Sequence, residues 1–401
     1  MNLAALAWRY LWARPLVALL NLALLGLGLG AITFVLLVSD QAERALQRDL
    51  AGIDVVVGAK GSPLQLILAG VFHLDVPTGN IPLATVETLR GHALVGRVVP
   101  LSLGDSVRGF RIVGTTPEYL ALYGARVERG RAWEAPLEAV LGADAARATG
   151  LQEGSTFVGT HGLGRDGHAH GDTPYTVTGR LARCGCVLDR LVLTSLESVW
   201  WVHEDDVALD EEDRAALEAE REVTLLLVGY RSPLAAATLP RWVDAQPGLQ
   251  AAAPALESAR LLRLLGVGAE VLRGFGALVV LVAALSVFVA LTHAVREREG
   301  DLAMLRMLGA PPARVAALVS AEALWLAGLG LALGLALGHG LTHALGWMLA
   351  QQRSLAITGA WWATGQAVVV AAAFVLALVA AAWPAWRAYR LDVTTLLQAP
   401  A

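Results

Sequence analysis

The chain has 401 residues, of which 56% are hydrophobic and only 16% are charged. A soluble domain carries about 25% charged residues, so this composition excludes an ordinary soluble protein and favours one with membrane segments. The charge deficit is uneven, because residues 40–272 have a normal scatter of arginine, aspartate and glutamate and their flanks are nearly charge-free over long runs. The net charge of -4 and the lack of a dense basic tract exclude a nucleic-acid partner.

Four apolar stretches are long enough to cross a bilayer, which takes about 20 residues in a helix. They predict transmembrane helices at residues 16–38, 273–295, 315–347 and 365–388. Helices are the expected form because a backbone in lipid must satisfy its own hydrogen bonds. The first stretch is longer than the apolar core of a signal peptide, so we expect it to be retained as an anchor.

The third apolar stretch carries glycines at four-residue spacing, namely Gly330, Gly334 and Gly338. Small residues at this spacing fall on one helix face and let a second helix approach closely. The alternative is a glycine-rich sequence that the membrane merely tolerates. We expect a close contact between helices at these positions.

The short loops differ in their arginine content. Residues 1–15 contain two arginines and residues 296–314 contain four. Arg387 and Arg390 lie at the end of the fourth apolar stretch and the start of the tail at 389–401. The loop at 348–364 contains one arginine. Loops rich in lysine and arginine stay in the cytoplasm. Both ends and residues 296–314 are therefore expected inside, and residues 39–272 outside. The alanine-rich, lysine-poor composition is typical of a GC-rich bacterial genome. With its four apolar stretches, the chain is expected to be a multi-pass protein of a bacterial cytoplasmic (inner) membrane.

The segment between the first and second apolar stretches, residues 39–272, mixes strand and helix patterns. Apolar runs bounded by turn residues predict strands at 53–57, 94–103, 107–114, 176–181, 190–193 and 222–228 and helices at 136–149 and 232–245. We expect two lobes, the middle one at about residues 117–220. Amphipathic patterns at 40–50 and 255–272 predict helical stalks that continue the membrane helices. The predicted fold class is therefore a membrane protein of four transmembrane α-helices, with a large extracytoplasmic α+β domain inserted between the first and second.

One loop of this inserted segment is rich in side chains that bind metals. The candidate ligands of this loop and of the next are His161, His168, His170, Asp172, Cys184 and Cys186. Imidazole and thiolate groups suit zinc, so the three histidines, completed by the aspartate or a cysteine, are a candidate zinc site. The alternatives are a solvated surface loop and a pair of oxidised cysteines, because the spacing fits no standard closed zinc motif. No other cofactor is expected.

Residues 296–310 read REREGDLAMLRMLGA and are followed by two prolines. Read as a helix, this stretch places charged side chains on one face and apolar side chains on another. An amphipathic helix at the cytoplasmic surface can dock in a groove of a partner protein. We expect Glu299 and Arg306 on its exposed face. The alternative is a solvated turn whose arginines only orient the protein in the membrane.

This stretch, within a layout of one membrane helix, a large insert and three further membrane helices, resembles the FtsX-like permease family. The family includes the MacB-type ABC transporter subunits and the lipoprotein-extracting permeases. Residues 110–120, FRIVGTTPEYL, resemble the family's strand followed by Gly-x-x-Pro-Glu-Tyr, and residues 140–154 resemble its next helix and turn. Residues 384–388 with Asp392 and Val393 resemble its closing signature. The resemblance covers the whole chain and is strongest in its last third.

The resemblance implies that the helix after the second span is a coupling helix, which receives the motion of a separate cytoplasmic ABC ATPase. The implied coupling residues are Arg296, Arg298, Glu299, Leu302, Leu305, Arg306 and Gly309. It also implies a second permease copy, in a homodimer or a heterodimer, and a periplasmic or lipoprotein partner. The sequence has no phosphate-binding loop of its own, because Gly58–Ser62 lacks the required spacing. We therefore expect no enzyme activity in this chain.

The expected function is that of a permease subunit that couples ATP hydrolysis to movements of its extracytoplasmic domain, a mechanism called mechanotransmission. The alternative is a non-transporting signal transducer or scaffold that regulates an extracytoplasmic partner. Residues 57–81 resemble a subgroup of FtsX-like permeases associated with metal-responsive operons, which implies a link to metal handling. The apolar helix expected in this segment is either part of the core or a partner surface.

Overall fold

The computed structural model describes residues 2–162, 173–205, 217–218, 220–351 and 357–391. The chain divides into two compact units. The membrane unit consists of Met1–Ala42 and Leu264–Ala401, and the inserted unit is Glu43–Arg263.

Within the inserted unit, helices and strands alternate along the chain. The helices are α1 (Leu3–Trp12), α2 (Pro15–Asp49), α3 (Pro63–Gly70), α4 (Ala84–Arg90), α5 (Pro117–Leu122), α6 (Ala143–Thr149), α7 (Leu196–Asp205), α8 (Ala235–Asp244), α9 (Pro254–Glu297), α10 (Glu299–Met307), α11 (Pro312–Gln351) and α12 (Gln366–Tyr389). The strands are β1 (Val55–Ala59), β2 (Ile81–Pro82), β3 (Val95–Val107), β4 (Phe110–Thr115), β5 (Val127–Gly130), β6 (Glu138–Leu141), β7 (Thr156–Phe157), β8 (Thr160–His161), β9 (Tyr175–Leu181), β10 (Val192–Ser195), β11 (Glu222–Val223), β12 (Leu225–Tyr230) and β13 (Leu249–Ala252). A short 3-10 helix covers Val187–Arg190.

Four of the described helices, α2, α9, α11 and α12, are long and apolar enough to cross a membrane. The predicted fold class is confirmed, since the α+β domain lies between the first and second of them. Helix α2 continues past the predicted span to Asp49, and α9 already begins at Pro254. The segments predicted to be helical stalks are therefore continuous with the membrane helices.

The glycines of α11 form a close contact with α2, as their spacing predicts. A Cβ atom added at Gly334 would lie 2.6 Å from the Cβ of Leu29 and 3.2 Å from the backbone nitrogen of Gly30. A Cβ added at Gly338 would lie 2.6 Å from the Cβ of Thr33. Only glycine lets the two backbones come this close, so the four-residue spacing marks a helix interface.

The inserted unit is organised on one mixed sheet. Among the described residues this sheet has eleven strands, in the order β13-β1-β12-β3-β4-β10-β6-β9-β5, with β7 paired to β9 and β8 paired to β3. Strands β11 and β2 form a separate pair. The strands of the predicted middle lobe belong to the same sheet as the others, because β10 pairs in parallel with β4. The segments predicted to form two lobes therefore share one sheet.

The central strands are covered on both faces, which explains their uninterrupted apolar runs. On β1, Val56 packs in one hydrophobic cluster and its neighbours Val55 and Val57 pack in another. On β12, Leu225 and Leu226 divide in the same way. Helices α3 and α5 contribute to the first cluster, and α4 and α8 contribute to the second. Alternation along each strand therefore builds two cores.

Two local predictions had different outcomes. The helix predicted at 136–149 was wrong in its first half, because residues 138–141 form β6 and only Ala143–Thr149 is helical. The change occurs at Gly142, where an added Cβ would collide with the backbone carbonyl of Leu188. The apolar helix expected after residue 57 is α3, and its Leu66 and Ile67 have no exposed surface. It belongs to the core and is not a partner surface.

His73 is a buried titratable group of the inserted unit. Its side chain is 7% exposed, and its Nε2 lies 3.0 Å from the hydroxyl oxygen of Tyr119. Burial, and then the guanidinium charges of Arg111 and Arg190, hold the pKa of His73 well below its usual range. The imidazole therefore stays neutral in the folded protein under mildly acidic conditions.

We expect the free energy of unfolding to fall as the pH drops below about 6.5, the pKa of a free histidine. There the unfolded chain takes up a proton on His73 and the folded chain does not, so the loss reaches about 1.4 kcal/mol per pH unit from this group. Asparagine tolerates the φ of 54° at this position, and His73→Asn should therefore remove this part of the pH dependence. Thermal unfolding of the full-length protein in detergent measures it, with His92→Asn as the matched control. Equal pH dependence in wild type and His73→Asn would contradict the assignment.

Candidate functional site

The loop between α9 and α11 is a short helix that ends in a well-defined turn. Gly309 follows α10 with φ of 92°, a left-handed conformation that favours glycine. Its N–H donates to the carbonyl oxygen of Arg306 at 3.0 Å, and the N–H of Ala310 donates to that of Leu305 at 3.1 Å. These two bonds form a Schellman motif. Gly309, a predicted coupling residue, therefore fixes where α10 ends.

One face of α10 packs against the rest of the membrane unit. Leu302 is 3% exposed and Ala303 is 5% exposed. Leu302 belongs to a hydrophobic cluster shared with α1, α9, α11 and α12, and Leu305 packs against that cluster. These two predicted coupling residues therefore hold the helix in place and leave its other face available.

Arg298 anchors the start of α10. Its Nη1 lies 3.2 Å from Oε1 of Glu322 on α11, and the two side chains are 14% and 8% exposed. Its Nη2 donates to the carbonyl oxygen of Tyr10 at 2.9 Å, and its guanidinium carbon lies 4.3 Å from the centre of the Tyr10 ring. Removing one partner of a buried ion pair leaves an uncompensated charge and is strongly destabilising. The pair thus ties the end of α9 to α1 and α11.

The expectation that Glu299 and Arg306 form the free face was wrong. An oxygen of Glu299 lies 3.5 Å from Nη2 of Arg387 on α12, and Arg306 donates a hydrogen bond to the carbonyl oxygen of Leu391. Both side chains are partly buried. Their partners come from the C-terminal part of the chain, so these charges fasten α10 to its own protein.

The free face of α10 is apolar. Met304 is 57% exposed, Met307 is 55% exposed and Leu308 is 81% exposed; we call these three residues the apolar patch. Two nearby charged residues in the chain, Arg296 at the end of α9 and Asp301 in α10, are also exposed. Exposed apolar surface with a polar rim marks interaction sites, and methionine adapts its shape to a binding partner. The patch is therefore suited to an apolar groove on another protein.

The structure supports only one of the six metal ligands predicted from the sequence. Cys184 and Cys186 form a disulfide, so neither offers a thiolate and their inclusion among the ligands was wrong. His168, His170 and Asp172 lie outside the described residues. Of the predicted ligands, His161 remains, as the second residue of β8.

His161 lies beside two residues that the sequence did not reveal. The ligand atoms of Asp105, His161 and His203 all lie within 4.8 Å of one another. Asp105 is on β3 and His203 is on α7, and both are far from His161 in the chain. The spacing of residues in the sequence therefore could not predict this cluster, which depends on strand pairing and on the packing of α7.

Comparison with known families matches nearly the whole chain. Residues 18–258 match the MacB-like periplasmic core domain, and residues 273–393 match the FtsX-like permease C-terminal domain. A search of curated proteins finds no match.

The solved structures similar to part of this chain include a periplasmic region and an extracellular domain. The periplasmic region of MacB from Actinobacillus actinomycetemcomitans is 11% identical with a TM-score of 0.36, covering 54% of this chain and 95% of that one. The extracellular domain of YknZ, a noncanonic ABC-type transporter from Gram-positive bacteria, is 12% identical with a TM-score of 0.30, covering 49% of this chain and 98% of that one.

The four apolar helices and the two family matches define a multi-pass membrane permease with a periplasmic-type core domain inserted after its first helix. This agrees with the membrane localisation expected from the sequence. The chain belongs to the MacB-like family of ABC transporter permeases with an FtsX-like C-terminal domain.

Proposed function

We propose that this chain is the permease subunit of an ABC transporter of the MacB/FtsX type, which couples ATP hydrolysis by a separate cytoplasmic ATPase to movements of its inserted domain. The active assembly contains a second permease copy and recruits an extracytoplasmic partner. The chain itself hydrolyses no ATP.

The observation that carries this proposal is the two-sided character of α10. Its inner face is fixed by Leu302 and by the neighbouring Arg298–Glu322 pair, and its outer face presents the apolar patch. A helix fastened in this way can pass a push from a docked partner to α9 and α11 instead of moving alone. Family membership supports an ABC ATPase as that partner.

Continuous helices support the transmission of motion. Helix α9 has 44 residues without a break, from Pro254 to Glu297, and α2 has 35 residues. Each carries residues of both compact units. A displacement at the α10 end of α9 therefore has an unbroken helical path toward the inserted unit.

A signal transducer or scaffold of the same architecture is the second candidate. It is favoured by Glu322, the acidic side chain buried in α11, because that carboxylate is engaged with Arg298 and Arg298 with α1. A buried membrane charge often marks a substrate path, whereas this one holds helices together. In both candidates the ATPase docks on the same patch.

Site-specific photo-cross-linking tests the docking and the topology together. A photoreactive amino acid at Met307 is expected to capture a protein that mass spectrometry identifies as an ABC ATPase. The same group at the exposed Ala237 of the inserted unit should capture none, because that side of the protein faces away from the cytoplasm. Capture of the ATPase at Ala237, or of no ATPase at Met307, would contradict the proposal.

A further inference from the structure

We infer that Asp105, His161 and His203 form a binding site for a divalent transition metal, with Zn²⁺ as the favoured ion. Their ligand atoms converge within 4.8 Å of one another. The residues come from three elements, β3, β8 and α7. This inference is independent of the proposed permease function, because metal binding requires neither the ATPase nor a substrate.

Strand pairing brings the first two ligands together. In the β3–β8 pair Asp105 stands opposite His161, and the N–H of Gly162 donates to the carbonyl oxygen of Gly104 at 2.8 Å. His161 Nδ1 then lies 3.1 Å from Oδ1 of Asp105. Two ligands of one tetrahedral zinc ion are about 3.3 Å apart, given metal–ligand bonds of about 2.0–2.1 Å. The observed separation fits a shared ion as well as a direct hydrogen bond.

A strand irregularity sets the direction of Asp105. The β3–β4 register shifts between Leu103 and Ser106, so β3 has one extra residue at this point. Bulges of this kind turn a side chain away from the regular alternation and are frequent beside functional sites. His203, in the last turn of α7, completes the group, with its ring centre 5.1 Å from that of His161.

The surroundings of Asp105 suit a bound cation. Its side chain is 3% exposed, and a buried carboxylate is costly without compensating positive charge.

The ligand types select the metal. Two imidazoles and one carboxylate match zinc sites that keep one position open, whereas calcium and magnesium prefer oxygen ligands. Both histidines are exposed, so an ion can enter and leave from solvent. The open position would take water or a ligand from a metal-carrying partner.

Zinc and cobalt titrations of the full-length protein in detergent test this site, after metal removal by a chelator. His203→Gln is the first variant, because His203 is exposed and its replacement should not affect folding. We expect the affinity for Zn²⁺ to fall by at least about tenfold in His203→Gln and in His161→Gln, and His92→Gln to bind as wild type. X-ray absorption of the zinc-loaded protein should show nitrogen and oxygen ligands and no sulfur.

Two outcomes would overturn the inference. One is unchanged zinc affinity in both His161→Gln and His203→Gln, which would make the cluster an ordinary histidine–aspartate contact. The other is loss of binding in a His168→Gln, His170→Gln variant together with unchanged binding in His203→Gln, which would place the metal in the loop alone. Neither result bears on ATPase docking, so failure here leaves the permease proposal standing.

Discussion

Replacing Met304 and Leu308 together with glutamate is expected to abolish docking of the ATPase on the permease. The two side chains are 57% and 81% exposed, and full burial of an apolar side chain of this size contributes about 1.5–3 kcal/mol. Glutamates remove that contribution and would have to lose their hydration in the groove. We expect a loss of about 4 kcal/mol, roughly a thousandfold in Kd. Binding of the ATPase captured at Met307, and permease-dependent ATP hydrolysis, measure the effect.

Two controls separate docking from folding. Leu234→Glu places the same charge on a leucine of the inserted unit that is 66% exposed, and it should leave ATPase binding unchanged. The double variant Glu299→Gln, Arg306→Gln leaves the apolar patch intact and weakens the contacts to Arg387 and Leu391, so it should lower the thermal midpoint. Normal ATPase binding by a folded Met304→Glu, Leu308→Glu variant would move the docking surface elsewhere.

The membrane part of the fold could be predicted from the sequence because lipid imposes simple rules on length and polarity. The helices and the glycine contact at Gly334 follow from these rules. The inserted unit was less predictable, since a strand such as β6 has only four residues and its type depends on its neighbours in the sheet. Val140 favours a strand and Leu141 favours a helix, and the pairing of these residues with β9 and β10 makes the segment a strand.

The candidate sites, like the fold, could be predicted only in part from the sequence. Periodicity predicts two faces for residues 299–307 but does not say which face is exposed. That depends on Arg387 of α12 and on Leu391, which lies just beyond α12. Gly309 could be recognised as a helix stop from its type alone. The sequence did not predict Asp105 and His203 as metal ligands. They lie near His161 because of the β-bulge in β3 and the packing of α7. Local chemistry is readable in a sequence, whereas the pairing of distant side chains requires the fold.

Substituting Gly334 with leucine is expected to disrupt the contact between α11 and α2. An added Cβ would lie 2.6 Å from the Cβ of Leu29 and 3.3 Å from the carbonyl oxygen of Gly26. The carbonyl oxygen of Gly26 is a backbone atom and cannot move aside as the end of a flexible side chain could. The two helices would therefore have to separate. Helix association in lipid depends on close packing, and we expect a loss of about 3 kcal/mol or more. The monodisperse yield and the thermal midpoint of the full-length protein in detergent measure it.

Gly340→Leu is the matched control on the same helix. It adds the same side chain six residues after Gly334, at a position where an added Cβ meets no atom within 4 Å. Leucine also has a higher helix propensity than glycine, so this variant should keep or slightly raise the thermal midpoint. The difference between the two variants therefore isolates the helix contact from any general effect of bulk in the membrane. If Gly334→Leu and Gly340→Leu had equal yields and midpoints, α2 and α11 would not be packed through their glycines.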